Sequence, residues 1–385
     1  MTGYAEHRRG AHSARWLATI DEAYAEMERR INAASHSIRL ESYLMREEGP
    51  ATWLRDALQR ARARGVVVKM LIDAFGTEGV RREFLQPLRD AGVVIALFNP
   101  QRWLRRSFRN HRKLLACDGE CAVLGGFNIG PEYAGDGVTR GWCDTGVLVG
   151  GPVVPQLEAN FDAMFALARF TPRRYRRFRA AARNNFADAA SSDAPVRLLL
   201  TGPGTRGRLL RYQLGHDLRR ARNLDIASAY FLPSRRLRRL LYLAAQRGRV
   251  RLLLAGRSDV PLALLAAERY YDRLISRQVR IFEYQPQILH AKLVIADDVA
   301  YVGSANLDWR SLHINYELLL RFEWPELVAD AKHWFEQALL SAESLDGQQL
   351  RARRGMWRRL ASFLSYFLLA RLDALVARRG FRTIS

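Results

Sequence analysis

The sequence predicts an α/β protein of two pseudo-symmetric lobes, each a mixed sheet flanked by helices, with one site at the lobe interface. A repeat is the first ground. His111-Arg-Lys113-Leu-Leu-Ala-Cys-Asp118, followed by Gly125-Gly126-Phe127-Asn128, returns as His290-Ala-Lys292-Leu-Val-Ile-Ala-Asp297, followed by Gly303-Ser304-Ala305-Asn306. The second ground is that β-branched runs alternate with helical patterns ahead of both copies, as in βαβ units with right-handed crossovers. The third is length, since 385 residues can form two lobes with separate cores.

In the first lobe, 1–170, Trp16, Leu17, Ile20, Ala23, Tyr24, Met27 and Ile31 recur at helical spacing and predict an amphipathic helix covering a sheet. Residues 37–44 alternate like a strand, 53–64 read as a helix closed by Gly65, and 66–72 suit a buried parallel strand. A helix over 84–91 closes at Gly92, and a strand over 93–98 ends at Asn99-Pro100. The second lobe, 195–345, repeats this plan, with Gly248 matching Gly65 and Pro286 matching Pro100. The copies lie closer together at the histidines than at the prolines, which locates an extra loop, 101–110, in the first lobe. That loop carries Trp103 and Phe108 just before His111, and the acceptor pocket is expected to be built partly from it.

Between the lobes, 171–194 reads as a basic linker with Arg173, Arg174, Arg176, Arg177, Arg179 and Arg183. The tail, 346–385, is Arg-rich and carries an apolar stripe of Trp357, Leu360, Leu364, Phe367, Leu368, Leu372 and Leu375. Such a helix lies on an anionic membrane surface rather than crossing it, and the competing expectation is a helix docked on the protein's own core.

A net charge of +22 requires an anionic partner, nucleic acid or anionic lipid. Only four lysines occur among 61 basic residues, and two of them, Lys113 and Lys292, fall inside the repeat, where a compact ammonium is needed rather than a planar fork. Cys117, Cys121 and Cys143 are too few for a disulfide framework and read as core thiols of a reducing compartment. The N-terminal residues lack the apolar run of a signal peptide, and no uncharged stretch is long enough to span a bilayer.

Residues two apart on a strand share a face, so His111 with Lys113, and His290 with Lys292, point together. Asp118 and Asp297 have the opposite parity and read as turn or salt-bridge residues. A two-residue turn at each would pair Cys117 with Glu120, setting His111 opposite Gly126 and His290 opposite Ala305. Gly126, Asn128, Ser304 and Asn306 would then lie beside the histidines as phosphate-binding groups, through small size or hydrogen-bond donation. Two histidines, two lysines and two asparagines about a pseudo-twofold axis suit a phosphate. One imidazole attacks phosphorus, and the other, near its reference pKa of roughly 6.5, protonates the leaving oxygen. No metal or cofactor is called for. Asp144 and Glu317, at matching places after the two copies, are the candidates to fix the histidine tautomers.

These residues resemble the phospholipase D superfamily, whose HxKxxxxD motif is matched twice together with the trailing GGxN or GSxN. The resemblance places His111, Lys113, Asp118, His290, Lys292 and Asp297 in the catalytic set. Glu41-Ser-Tyr, the segment from Gly125 to Tyr133, and Tyr230-Phe-Leu-Pro233 are similar to bacterial cardiolipin synthases. That likeness implies phosphatidyl transfer from one phosphatidylglycerol to a second through a phosphohistidine, with glycerol released, His111 as nucleophile and His290 as general acid. The alternatives are a phospholipase D hydrolase or a nuclease of the same superfamily. Many cardiolipin synthases begin with two transmembrane helices; this chain resembles a shorter type, expected to bind peripherally at the cytoplasmic face of the bacterial inner membrane. Phospholipid and an anionic membrane are the expected partners, and nucleic acid is not.

Overall fold

The computed structural model describes residues 3–99, 108–169, 194–203, 207–348, 350 and 355–369. Trp103, the linker arginines and the tail beyond residue 369 lie outside them.

A hairpin of β1 (Glu6–Arg9) and β2 (His12–Leu17) opens the chain, and α1 (Ile20–Ala33) follows. Then β3 (Ser37–Ser42), α2 (Pro50–Ala63), β4 (Val67–Asp73), α3 (Arg82–Asp90) and β5 (Val94–Phe98) make two parallel crossovers. Antiparallel β6 (Leu114–Cys117), β7 (Cys121–Gly125) and β8 (Gly146–Gly150) complete the sheet, in the order β1-β2-β8-β7-β6-β3-β4-β5. α4 (Val153–Arg169) leads toward the second lobe.

The second lobe opens with β9 (Val196–Thr201) and α5 (Arg208–Arg220). Its parallel part is β10 (Asn223–Ser228), α6 (Arg235–Ala245), β11 (Arg249–Ala255), α7 (Pro261–Glu268), α8 (Tyr271–Ile275) and β12 (Val279–Tyr284). Its antiparallel part is β13 (Lys292–Ala296), β14 (Val299–Gly303), α9 (Trp309–His313) and β15 (Glu317–Phe322). α10 (Pro325–Leu339), β16 (Ala342–Leu345) and α11 (Met356–Phe367) follow. Read in reverse, the order β16-β12-β11-β10-β13-β14-β15-β9 repeats seven strands of the first sheet, with β9 to β15 in the places of β2 to β8.

One core joins the lobes. Leu114, Leu124 and Val147 of the first sheet, Phe161 of α4, Leu293, Val302 and Leu320 of the second sheet and Trp334 of α10 belong to a single buried cluster. α4 packs on the first sheet and on β9, and α10 packs on the second sheet and on β2. Trp334 Nε1 donates to the Ala18 carbonyl at 2.9 Å, tying α10 to the first lobe. The outer faces are covered separately, by α1 and α2 on one sheet and by α5 and α6 on the other. Cys117, Cys121 and Cys143 are buried free thiols.

Three expectations are corrected. The first helix starts at Ile20, not Trp16, because the Thr19 hydroxyl accepts the Glu22 N–H (3.2 Å) and caps it there. Trp16 and Leu17 end β2, buried in different clusters, and a strand covered on both faces mimics an apolar helical stretch. In the first hairpin Cys117 pairs with Cys121 rather than Glu120. Asp118 (φ 58°) and Gly119 (φ 72°) both adopt left-handed backbone and Glu120 N–H returns to Cys117 (3.0 Å), so three residues close the turn. The second hairpin has the expected register, Ala296 opposite Val299. The ladders begin only at Leu114 and Lys292–Leu293, so neither histidine has the cross-strand partner expected for it.

Candidate active site

Each histidine lies on a strap just ahead of its strand. Asn110 donates its backbone N–H to Asp73 Oδ2 (2.8 Å) and its amide to Glu41 Oε1 (2.7 Å), anchoring the first strap to β3 and β4. Arg112 points away from its two neighbours, to Glu41 (3.0 Å) and Asn160 (2.5 Å), the alternation of extended chain. Lys113 folds back to donate to the His111 carbonyl (2.6 Å), and Lys292 donates likewise to that of His290. Lys292 Nζ also lies 2.7 Å from His290 Nδ1.

The two lobes cross at the histidines. His111 gives its backbone N–H to Tyr316 of the second lobe (3.0 Å), and its Nδ1 lies 3.0 Å from Glu317 Oε2 and 3.2 Å from the Ser304 carbonyl. His290 gives its N–H to Cys143 of the first lobe (2.7 Å), and its Nδ1 lies 2.7 Å from Asp144 Oδ2. Each imidazole thus meets the opposite lobe's carboxylate through Nδ1, and Lys292 Nζ also lies 3.0 Å from His290 Nε2.

The small residues after each hairpin support those carboxylates. Ser304 Oγ donates to Glu317 Oε2 (2.6 Å). At the matching Gly126 a Cβ would stand 2.5 Å from Asp144 Oδ2, so glycine leaves that carboxylate its place. Asn128 is buried, but its amide donates to the Tyr133 hydroxyl (2.7 Å) and accepts the Leu44 N–H (3.2 Å), bracing an aromatic wall. Asn306 is buried as well, and its amide oxygen has no partner among the described residues.

Asp118 and Asp297 are not brought to the histidines. Asp118 accepts backbone N–H groups of Ser35, His36 and Ser37 (2.8, 2.9 and 2.6 Å), and Asp297 those of Arg222 and Asn223 (2.9 and 2.8 Å). They hold the entries to β3 and β10 at the far ends of β6 and β13. The hydrogen bonds keep the Asp118 carboxyl below its usual range against the effect of burial.

Three site aromatics were not singled out as site residues by sequence reasoning. The Tyr43 ring centroid lies 4.8 Å from that of His111, and those of Trp142 and Tyr133 lie 5.2 and 5.3 Å from His290. Tyr43 directly follows β3, and the carboxyl ends of parallel strands are where α/β sheets place ligands, which is the signal that could have found it.

Burial, then the neighbouring lysines, holds both imidazoles well below their ordinary pKa. Burial also lowers Lys113, and it brings Lys292 down to about 8. The same burial pushes Asp144 up to about 7 and Glu317 up to about 8, against the pull of the lysines. Lys113 depresses His290 and Lys292 depresses His111, so the four groups share one field. Among the described residues no group of three or more His, Cys, Asp or Glu could hold a metal ion.

Two seven-strand repeats, each contributing one histidine and one lysine to a shared site, define a two-lobed phospholipase D-like protein. A family model described as "Cardiolipin synthase, PLD-like domain" matches residues 27–165 and 214–339. Cardiolipin synthase 1 of Bacillus cereus is 31% identical, the match covering 90% of this chain and 70% of the relative. Cardiolipin synthase 2 of Bacillus anthracis is 32% identical over 79% of this chain and 60% of the relative. In fold, the chain is like phosphatidylserine synthase of Haemophilus influenzae, with a TM-score of 0.72 at 15% identity, covering 97% of this chain and 96% of the other. The chain belongs to the cardiolipin synthase family, whose members are phosphatidyltransferases of phospholipid synthesis.

Proposed function

We propose that this chain makes cardiolipin from two molecules of phosphatidylglycerol at an anionic membrane surface, through a covalent histidine intermediate. The observation that carries the reading is the crossed arrangement of two histidines, each with its own lysine and each oriented by the other lobe's carboxylate. His111 Nε2 attacks the donor phosphorus, the bond to the glycerol oxygen breaks, and His290 gives that oxygen a proton. The second phosphatidylglycerol then brings a hydroxyl, His290 takes its proton, and the phosphorus–nitrogen bond breaks as cardiolipin forms. Lys113 and Lys292 offset charge on the non-bridging oxygens. A phosphodiester between the lysines also offsets the positive field that depresses both imidazoles, so substrate makes it easier for His290 to hold the proton it must give.

The test is incubation of the purified chain with phosphatidylglycerol, without added metal, followed by mass spectrometry of the lipids. Cardiolipin and free glycerol are the expected products. Phosphatidic acid alone would mean that water is the acceptor, and unchanged lipid would overturn the reading.

The membrane part rests on α11. Its side against the second lobe is small, polar or aromatic: Ser362 and Ser365 are buried, Tyr366 packs edge-on against Tyr270 (5.0 Å), and Arg358 binds Glu268 on α7 through two hydrogen bonds (2.6 and 3.0 Å). Its outer side is apolar, with Trp357 77% exposed and Leu360, Leu364 and Phe367 about half exposed. A helix docked only for its own core would have the reverse arrangement. Among the described residues no helix is long and apolar enough to cross a membrane. In this reading 346–385 is a membrane-binding tail on the two lobes 1–170 and 195–345. Changing Trp357, Leu360 and Leu364 together to serine is expected to weaken sedimentation with phosphatidylglycerol vesicles at least roughly 10-fold. Turnover of a short-chain, soluble phosphatidylglycerol by the same variant should change far less; equal losses on both substrates would count against a membrane role.

A further inference from the structure

We propose that Arg109 binds the phosphodiester of the accepting phospholipid, the one phosphate in the reaction that is not transferred. This rests on the phosphatidyl-transfer reading above and names what selects the acceptor. The histidines and lysines serve the phosphate being transferred. The acceptor carries a second monoanion, separated from its attacking hydroxyl by a three-carbon glycerol. A site blind to that charge would take free glycerol or water as readily as a lipid hydroxyl.

Arg109 stands where the second charge would fall. Its guanidinium lies over the Phe75 ring (4.0 Å to the centroid), and its Nη1 donates to the Tyr43 hydroxyl (3.2 Å). The Tyr43 ring packs on His111, so one tyrosine ring separates guanidinium from imidazole, a span comparable to the glycerol spacer. Three arginines buried in the lobes have carboxylate partners, Arg112 with Glu41, Arg251 with Asp225 and Arg321 with Asp217, and others such as Arg62 and Arg64 donate to backbone carbonyls. Arg109 has no carboxylate partner among the described residues, and its Nε is buried without an acceptor there. Asp73 feels its charge but engages the N–H groups of Asn110, Phe75 and Gly76. Stacked flat and short of acceptors, the guanidinium presents a fork suited to two phosphodiester oxygens. Around His290 the wall is aromatic instead, with Tyr133 and Trp142.

The experiment supplies the full-length protein with phosphatidylglycerol and labelled glycerol and measures two products of the same intermediate. Cardiolipin reports the phospholipid acceptor, and label in phosphatidylglycerol reports the neutral one. Arg109→Gln keeps a donor for Tyr43 but removes the charge. The ratio of cardiolipin to exchanged glycerol should fall roughly 10- to 100-fold, the loss of one charge-assisted contact, with KM for the lipid acceptor raised. Arg109→Lys should restore part of the ratio. If both products fall in parallel, or the ratio holds, Arg109 only positions Tyr43 against His111 and the proposal fails. A wild-type protein that makes neither product would instead overturn the transferase reading itself.

Discussion

Replacing His111 with alanine is expected to reduce cardiolipin formation by at least about 10⁴-fold and to prevent any covalent attachment of the phosphatidyl group. His290→Ala should cost a comparable factor, but for a different reason. Without His290 the glycerol oxygen loses its proton donor and the incoming hydroxyl its base, while the nucleophile stays in place beside Glu317. The two variants therefore separate in a trapping experiment with phosphatidylglycerol labelled at phosphorus. A phosphorus–nitrogen bond survives alkali and is cleaved by acid, so quenching in alkali preserves it. Both steps are slowed in His290→Ala but its nucleophile remains, so label should build up slowly on that protein over a long incubation and be absent from His111→Ala. The opposite pattern would exchange the two roles, which the pseudo-symmetry of the straps permits. Full turnover by either variant would place the chemistry elsewhere.

The repeat was legible because its parts are local. The two-residue spacing of His111 and Lys113 and the glycine closing α2 follow from short-range geometry and recur in the second lobe as His290 with Lys292 and as Gly248, whereas Gln278 (φ 64°) stands where Gly92 closes α3. Asp144 and Glu317 could be singled out, but not which histidine each would meet. That depends on how the sheets dock across α4 and α10, and the result is a crossed pairing in which neither lobe holds a finished site. The one-residue shift at Asp118 was hidden because the second copy turns in two residues with nearly the same side chains. Asn128 and Asn306 look alike in sequence, yet only Asn128 finds a tyrosine, Tyr133, five residues on to engage its amide. The hairpin of β1 and β2 was missed because its apolar end runs straight into the pattern of α1.

Asp144→Asn and Glu317→Gln are each expected to reduce kcat/KM by about 10²- to 10⁴-fold with the fold retained, since both substitutions are isosteric and neither carboxylate bears on the lobe cores. An amide can offer its N–H toward Nδ1, which favours the tautomer with the proton on Nε2 and leaves that nitrogen no lone pair for attack or for taking a proton. The pH profile gives the sharper test, and its sign follows from the direction of each shift. Burial raises Asp144 to about 7 and Glu317 to about 8, so both carboxyls gain protons as pH falls through that range and can no longer accept from the imidazoles. Activity should therefore fall on the acid side at a pH far above that of an ordinary carboxylate. On the alkaline side Lys292, lowered to about 8, loses the charge that offsets the transferring phosphate. The free protein should thus show a narrow bell in kcat/KM centred near 8. In Asp144→Asn the residual activity should lose the part of the acid limb that Asp144 contributes, while Glu317 still titrates. An acid limb at the same place and steepness in both variants would mean that another group controls it, and the crossed carboxylates would then be supports of the lobe interface alone.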